Sequence, residues 1–152
     1  MSRADDLSAF LTETPFARTL GVICDVRGDE MTAILPYQEK FIGNSAIQAL
    51  HGGAIGAFLE LTAMAQVFLL TELERPPKPI DLTVDYLRSG RASDLYARAI
   101  VVKLGSRMAT VRAEAWQTER NKPVAMLRAQ FLVAKPNSDP RQRDASAQKS
   151  PS

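Results

Sequence analysis

The sequence is poor in the residues that build metal centres and covalent staples. It has one cysteine, Cys24, and one histidine, His51, in 152 residues. One cysteine excludes an intramolecular disulfide, and one histidine beside it cannot assemble the usual Cys/His zinc patterns. No metal and no cofactor is therefore expected, and Cys24, inside an apolar strand-like run, reads as a buried thiol. One-sided charge is also missing. Nineteen Lys and Arg against 17 Asp and Glu give a formal charge of +2, and the cations are scattered. That distribution carries no nucleic-acid footprint. The first residues, "MSRADDLSAF", lack a basic stretch followed by an apolar one, so the expected compartment is the cytoplasm. No internal repeat is evident. Only residues 53–70 form a long apolar run, and Glu60 near its middle would cost about 2.5–3.5 kcal/mol at a bilayer centre. A buried helix of a soluble protein is the better reading, and no membrane partner is expected.

Hydrophobic residues make up 45% and charged residues 24% of the chain, as in ordinary globular proteins. At this length one domain with a sizeable core is expected. Leu7, Phe10 and Leu11 recur at helical spacing, with Asp5 and Asp6 in the first turn and Pro15 as the expected stop. "LGVICDV" and "EMTAILPY", separated by "RGDE", read as a hairpin, and "QEKFIGNSAIQAL" as a loop leading into the apolar helix. "RPPKP" enforces an extended break. Beyond it "IDLTVDYL" alternates, with Ile80, Leu82, Val84 and Tyr86 on one face. "DLYARAIVVKLG", "RMATVRAEAWQ" and "KPVAMLRAQFLVA" continue the pattern. From Pro136 the chain is polar and without apolar periodicity, the composition of a disordered segment. The expected organisation is a helical cap over 1–17, the main domain over 18–135 and a disordered tail over 136–152.

The class is α+β. A helix apolar on every side needs a sheet broad enough to wrap it, which is the hotdog architecture. "HGG" at 51–53, with an acid nine residues after the histidine on that helix, resembles the PaaI-type branch of the hotdog-fold acyl-CoA thioesterases, in the 4-hydroxybenzoyl-CoA thioesterase superfamily. The resemblance implies hydrolysis of an acyl-CoA thioester by a homodimer or dimer of dimers, with each site built from two protomers.

The residues themselves support a chemical task. Glu60 has Gly56, Ala57, Ala63 and Met64 as its helical neighbours, which leaves room beside the carboxylate. An unpaired buried acid costs several kcal/mol or is driven protonated, so a partner or a task must retain it. Gly52 and Gly53 at the helix start offer free N–H groups and the positive end of the dipole to a thioester carbonyl. Donors of that kind stabilise the oxyanion formed on attack. The blander readings are a hydrogen-bonded Glu60 and glycines that only let the chain turn. His51 lies about 13 Å and roughly half a turn from Glu60 along one helix, so the two cannot meet within one subunit. A two-fold dimer presents the helix start of one chain beside the mid-helix of another. His51 is accordingly read as a positioning residue.

In the resembled family a loop Asn or Gln fifteen residues before the acid orients the attacking water. Here that position is Ser45, with Asn44 beside it and Gln48 three residues before His51, and a one-residue insertion delivering Asn44 is the preferred account. The resemblance further suggests Arg88 and Arg91 of "YLRSGR" near the CoA phosphates, with solvated surface arginines as the alternative. Met64, with Phe41, Phe58 and Phe68, is a candidate lining for an acyl tunnel. Two other functions remain open. A non-catalytic acyl-CoA-binding module would keep the fold, and a hotdog dehydratase would share the "ELTAMAQ" helix but has Ala46 where its histidine would fall.

Overall fold

The computed structural model describes residues 2–133, so the tail over 136–152 lies outside the described residues. Helix α1 (Arg3–Glu13) opens on a capping box in which Ser2 and Asp5 satisfy each other's backbone N–H. Pro15 does more than stop it. Proline at the first helical position costs no hydrogen bond, and Pro15 begins a second helix, α2 (Pro15–Leu20), that runs past the expected end of the cap at residue 17. Leu7, Leu11, Ala17 and Leu20 of the two helices are buried in the same core as the rest of the molecule.

The hairpin is β1 (Ile23–Arg27) and β2 (Glu30–Leu35), turned through Gly28 at φ +64°. The segment read as a loop contains a 3₁₀ turn (Glu39–Phe41) and a small two-stranded sheet, β3 (Ile42–Asn44) with β4 (Ala49–Leu50). Strands this short carry too little alternation to be seen in sequence. Helix α3 (Gly52–Leu70) follows, then β5 (Lys78–Tyr86), β6 (Leu95–Leu104), β7 (Met108–Trp116) and β8 (Ala125–Leu132). The large sheet is antiparallel, ordered β1-β2-β6-β7-β8-β5. The backbone ladder between β2 and β6 is limited to Ala33↔Ala97, Ile34↔Tyr96 and Leu35↔Leu95, and beyond it the Arg98 guanidinium donates to the Thr32 hydroxyl (2.9 Å) and pairs with Glu30.

The sheet holds α3 because its inward row is small. The buried positions of β7, a strand that packs on α3, are Ala109, Val111, Ala113 and Ala115, while α3 buries the larger Phe58, Leu59, Leu61 and Val67. Each such side chain contributes roughly 1.5–3 kcal/mol on burial. By length and composition α3 is apolar enough to cross a membrane, yet most of it is buried inside the molecule.

Strand β5 departs from expectation. Its alternation does set Leu82, Val84 and Tyr86 on the inward face, opposite Ala129, Leu127 and Ala125 of β8. As the edge strand it has one neighbour among the described residues, and Leu82 and Tyr86 are 38% and 53% exposed. Pro79 sits beside a bulge near its start, where a missing N–H is tolerated.

Candidate active site

Three polar residues stand in the middle of α3, and two are accounted for. Thr62 donates to the carbonyl of Phe58 (2.8 Å), and Gln66 donates to the carbonyl of Asp29 (2.9 Å). Both are structural satisfiers of a buried helix. Glu60 is different. Its carboxylate makes no hydrogen bond or ion pair among the described residues, and burial pushes its pKa up from the ordinary value of 4.5. It belongs to a stripe of less buried positions, Gly53, Ala57, Glu60 and Met64, along the flank of α3. Gly56, also on this flank, lies beside β5, since a Cβ there would come 3.9 Å from Cγ2 of Val84. Phe41, Phe58 and Phe68 are core residues, which leaves Met64 as the tunnel-lining candidate on the stripe.

The helix start is tightly constructed. His51 is the N-cap, and its Nδ1 accepts the Gly53 N–H at 2.8 Å. The Gly53 donor is therefore already engaged, whereas the Gly52 N–H donates to nothing among the described residues. The expected pair of free donors is reduced to one. His51 is fixed from several sides. Its own N–H donates to the carbonyl of Phe41 (2.7 Å). A Cβ on Gly43 would lie 2.8 Å from its Cα, and one on Gly53 would lie 2.9 Å from its Nδ1. Gly43 and Gly53 are thus both favoured by close approach to His51, a reason invisible in the strings "FIGN" and "HGG".

Tyr86, at the end of β5, was not singled out in sequence because it fits the apolar alternation of its strand. Its hydroxyl donates to the Gly52 carbonyl at 2.7 Å, its ring lies beside Gly52, and its hydroxyl also lies beside Gly56. The neighbouring loops converge on the same end. Leu50 N–H donates to the Gly90 carbonyl, and the Gln117 amide bonds both the N–H and the carbonyl of Arg91. That holds the segment carrying Arg88 and Arg91 beside the helix start, with both side chains exposed. Residues 44–48 form a turn: the Asn44 side-chain oxygen accepts the Ala46 N–H (3.1 Å), the Gln48 amide donates to the Ser45 carbonyl, and Gln48 adopts φ +52°. Gln48 and Asn44 are both exposed, and neither touches Glu60 through a hydrogen bond.

Among the described residues no three His, Cys, Asp or Glu side chains are grouped to hold a metal ion. Burial pushes the thiol of Cys24 up to about 12, so it is not a thiolate nucleophile at neutral pH.

Residues 48–124, which include the helix start, all of α3 and the Arg88–Arg91 segment, match the sequence model of the thioesterase superfamily. The chain belongs to the thioesterase superfamily. A medium/long-chain acyl-CoA thioesterase, YigI, of Escherichia coli K12 is 30% identical over 140 residues, covering 82% of this chain and 88% of its own. A protein of known structure from Chromobacterium violaceum is 34% identical, with a TM-score of 0.70 over 90% of this chain and 98% of its own. A Bacillus halodurans protein solved with CoA is 18% identical and shares the fold, with a TM-score of 0.70 over 90% of this chain and 97% of its own. The sheet wrapped around α3 is the hotdog fold of this superfamily, and a thioester hydrolase is what membership means for the expected enzyme class.

Proposed function

We propose that this thioesterase-superfamily protein hydrolyses medium- to long-chain acyl-CoA, with Glu60 as the carboxylate that drives attack on the thioester. The observation that carries the reading is Glu60 itself, the one mid-helix polar group of α3 without a partner among the described residues while Thr62 and Gln66 are bonded. The chain-length class follows that of the relative from Escherichia coli. As general base, Glu60 takes a proton from water as its oxygen bonds to the thioester carbon. As nucleophile, it makes that bond directly and water resolves the anhydride. In either case the carbonyl oxygen gains negative charge, the free N–H of Gly52 at the positive end of α3 receives it, and collapse expels the CoA thiolate.

Each site takes Glu60 from one protomer and the helix start from another. Support comes from the axial separation of about 13 Å within one helix and from the inward face of edge strand β5 alongside the Glu60 stripe, which is part-exposed among the described residues. Asn44 keeps the water-orienting role: its side-chain oxygen is engaged by Ala46, and its amide N–H groups remain as donors. Arg88 and Arg91 meet the CoA phosphates from the loop held beside the helix start, and Gln48 borders the same end. Met64 borders the acyl chain.

The test is release of free thiol from acyl-CoAs of increasing length. Glu60→Gln should fold and assemble as the parent does, yet lose at least about 10²-fold in kcat. Full turnover by the folded variant rejects Glu60, and no thiol release by the parent from any chain length rejects the activity.

A further inference from the structure

The Gly52–Gly53 peptide is bonded at both ends by side chains from different elements. Its carbonyl accepts the Tyr86 hydroxyl at 2.7 Å, and its N–H, which belongs to Gly53, donates to Nδ1 of His51 at 2.8 Å. Tyr86 and His51 are thereby connected through one planar amide. A hydrogen bond to an amide oxygen polarises the group and strengthens its N–H as a donor, by about 10–30% per bond in condensed-phase estimates. An Nδ1 that accepts cannot carry a proton, so the neutral ring must carry its proton on Nε2. The Gly53 side of the ring is its Nδ1–Cε1 edge, and the Gly43 side is its Cδ2 edge, since a Cβ on Gly53 would lie 2.9 and 3.0 Å from Nδ1 and Cε1 and one on Gly43 would lie 3.1 Å from Cδ2.

We infer that Tyr86 is a positioning residue for the hydrolytic reaction. Through the Gly52–Gly53 peptide it fixes His51 as the tautomer that presents an Nε2–H donor at the helix start, beside the free N–H of Gly52. Tyr86 itself touches neither substrate nor water in this role. The inference rests on the proposed use of the helix start to receive the thioester oxygen, and it adds the device that holds the geometry there. Gly56 is part of the arrangement, because a Cβ at that position would stand 3.0 Å from the Tyr86 hydroxyl. A bulkier residue would lift the hydroxyl from the Gly52 carbonyl.

The chain offers an unusually clean assay, since its only imidazole is that of His51. In the ¹⁵N-labelled full-length protein, above the pH range in which imidazole takes up a proton, long-range ¹H–¹⁵N correlations distinguish a protonated Nε2 from a protonated Nδ1. The parent should show a single tautomer with the proton on Nε2. Tyr86→Phe keeps the ring beside Gly52 and removes only the hydroxyl. By releasing the Gly52 carbonyl it should let the Nδ1–H tautomer appear beside the Nε2–H form and lower kcat about two- to tenfold with KM within about twofold, the span that loss of one neutral hydrogen bond allows. A wild-type tautomer in Tyr86→Phe overturns the relay whatever the rate does. Mixed tautomers with unchanged kcat overturn the functional part. The imidazole spectrum reads the relay even if the parent hydrolyses no acyl-CoA, so failure of the proposed activity and failure of the relay are told apart.

Discussion

At the scale of single residues the pH dependence of Glu60 is the sharpest handle. Burial raises its pKa above the ordinary 4.5. Between 4.5 and the raised value the folded chain holds a proton that the unfolded chain has lost, so stability falls as pH rises through that window. Glu60→Gln carries no such dependence. The denaturant midpoint of the variant should therefore gain on that of the parent as pH is raised from below 4.5 to neutrality. Activity has the opposite slope, because the reaction needs the carboxylate: kcat should rise with pH along an acid limb whose midpoint lies above 4.5. A midpoint at or below that value, or parallel stability curves for parent and variant, would remove burial as the force acting on Glu60.

At the scale of elements, α1 and α3 are fastened at the far end from the helix start. The Arg3 guanidinium donates to the Phe68 carbonyl and lies 4.0 Å from the Phe68 ring centroid, while Phe10 stacks on the same ring at 5.8 Å. A cation at the C-terminal turn of α3 also opposes the negative end of its dipole. Arg3→Ala removes the dipole, cation–π and packing contributions together and should cost about 1–3 kcal/mol in chemical denaturation. It should leave kcat unchanged, because the contact is distant from Glu60 and Gly52. The elements were legible from sequence in proportion to their periodicity. The apolar run 53–70 became α3 at Gly52–Leu70, and the three long final strands were found within a few residues. The two-residue β4 offered no period to read, and the role of Pro15 as a helix opener was masked by its equally good service as a stop. At the site, the carboxylate in an apolar helix was visible because it broke a pattern. Tyr86 was not, because it conformed to one. That Gly53 is engaged by His51 and Gly52 is free depends on ring placement, which composition does not encode.

At the scale of the whole molecule, the question is whether one chain suffices. Gly53→Val would drive a side chain into His51, since even a Cβ there comes within 2.9 Å of Nδ1, and so would disrupt the helix start without touching the carboxylate. Glu60→Gln does the reverse. In a mixed two-fold dimer one site collects both defects and the other none. Random mixing makes half the dimers mixed, so co-expression of the two inactive chains should restore roughly a quarter of parental activity. Mixed dimers detected by native mass spectrometry without recovered activity would mean that each site lies within one subunit.

The thin joint between β2 and β6 carries a consequence for how the molecule breathes. Three residue pairs form the backbone ladder here, spanning residues 33–35 and 95–97, with only the Arg98 side chain reaching Thr32 and Glu30 beyond them among the described residues, whereas β7 and β8 are matched from Met108↔Leu132 to Ala115↔Ala125. The joint also links the two halves of the sheet across the whole of α3 in sequence, so it closes late and at the entropic cost of a long loop. Sub-global opening follows the weakest such boundary. The β1–β2 hairpin should therefore lift as one cooperative unit, its amide protons exchanging with solvent well ahead of those in β7 and β8, while Glu60, on the flank of α3 beside β5, keeps its surroundings through the excursion.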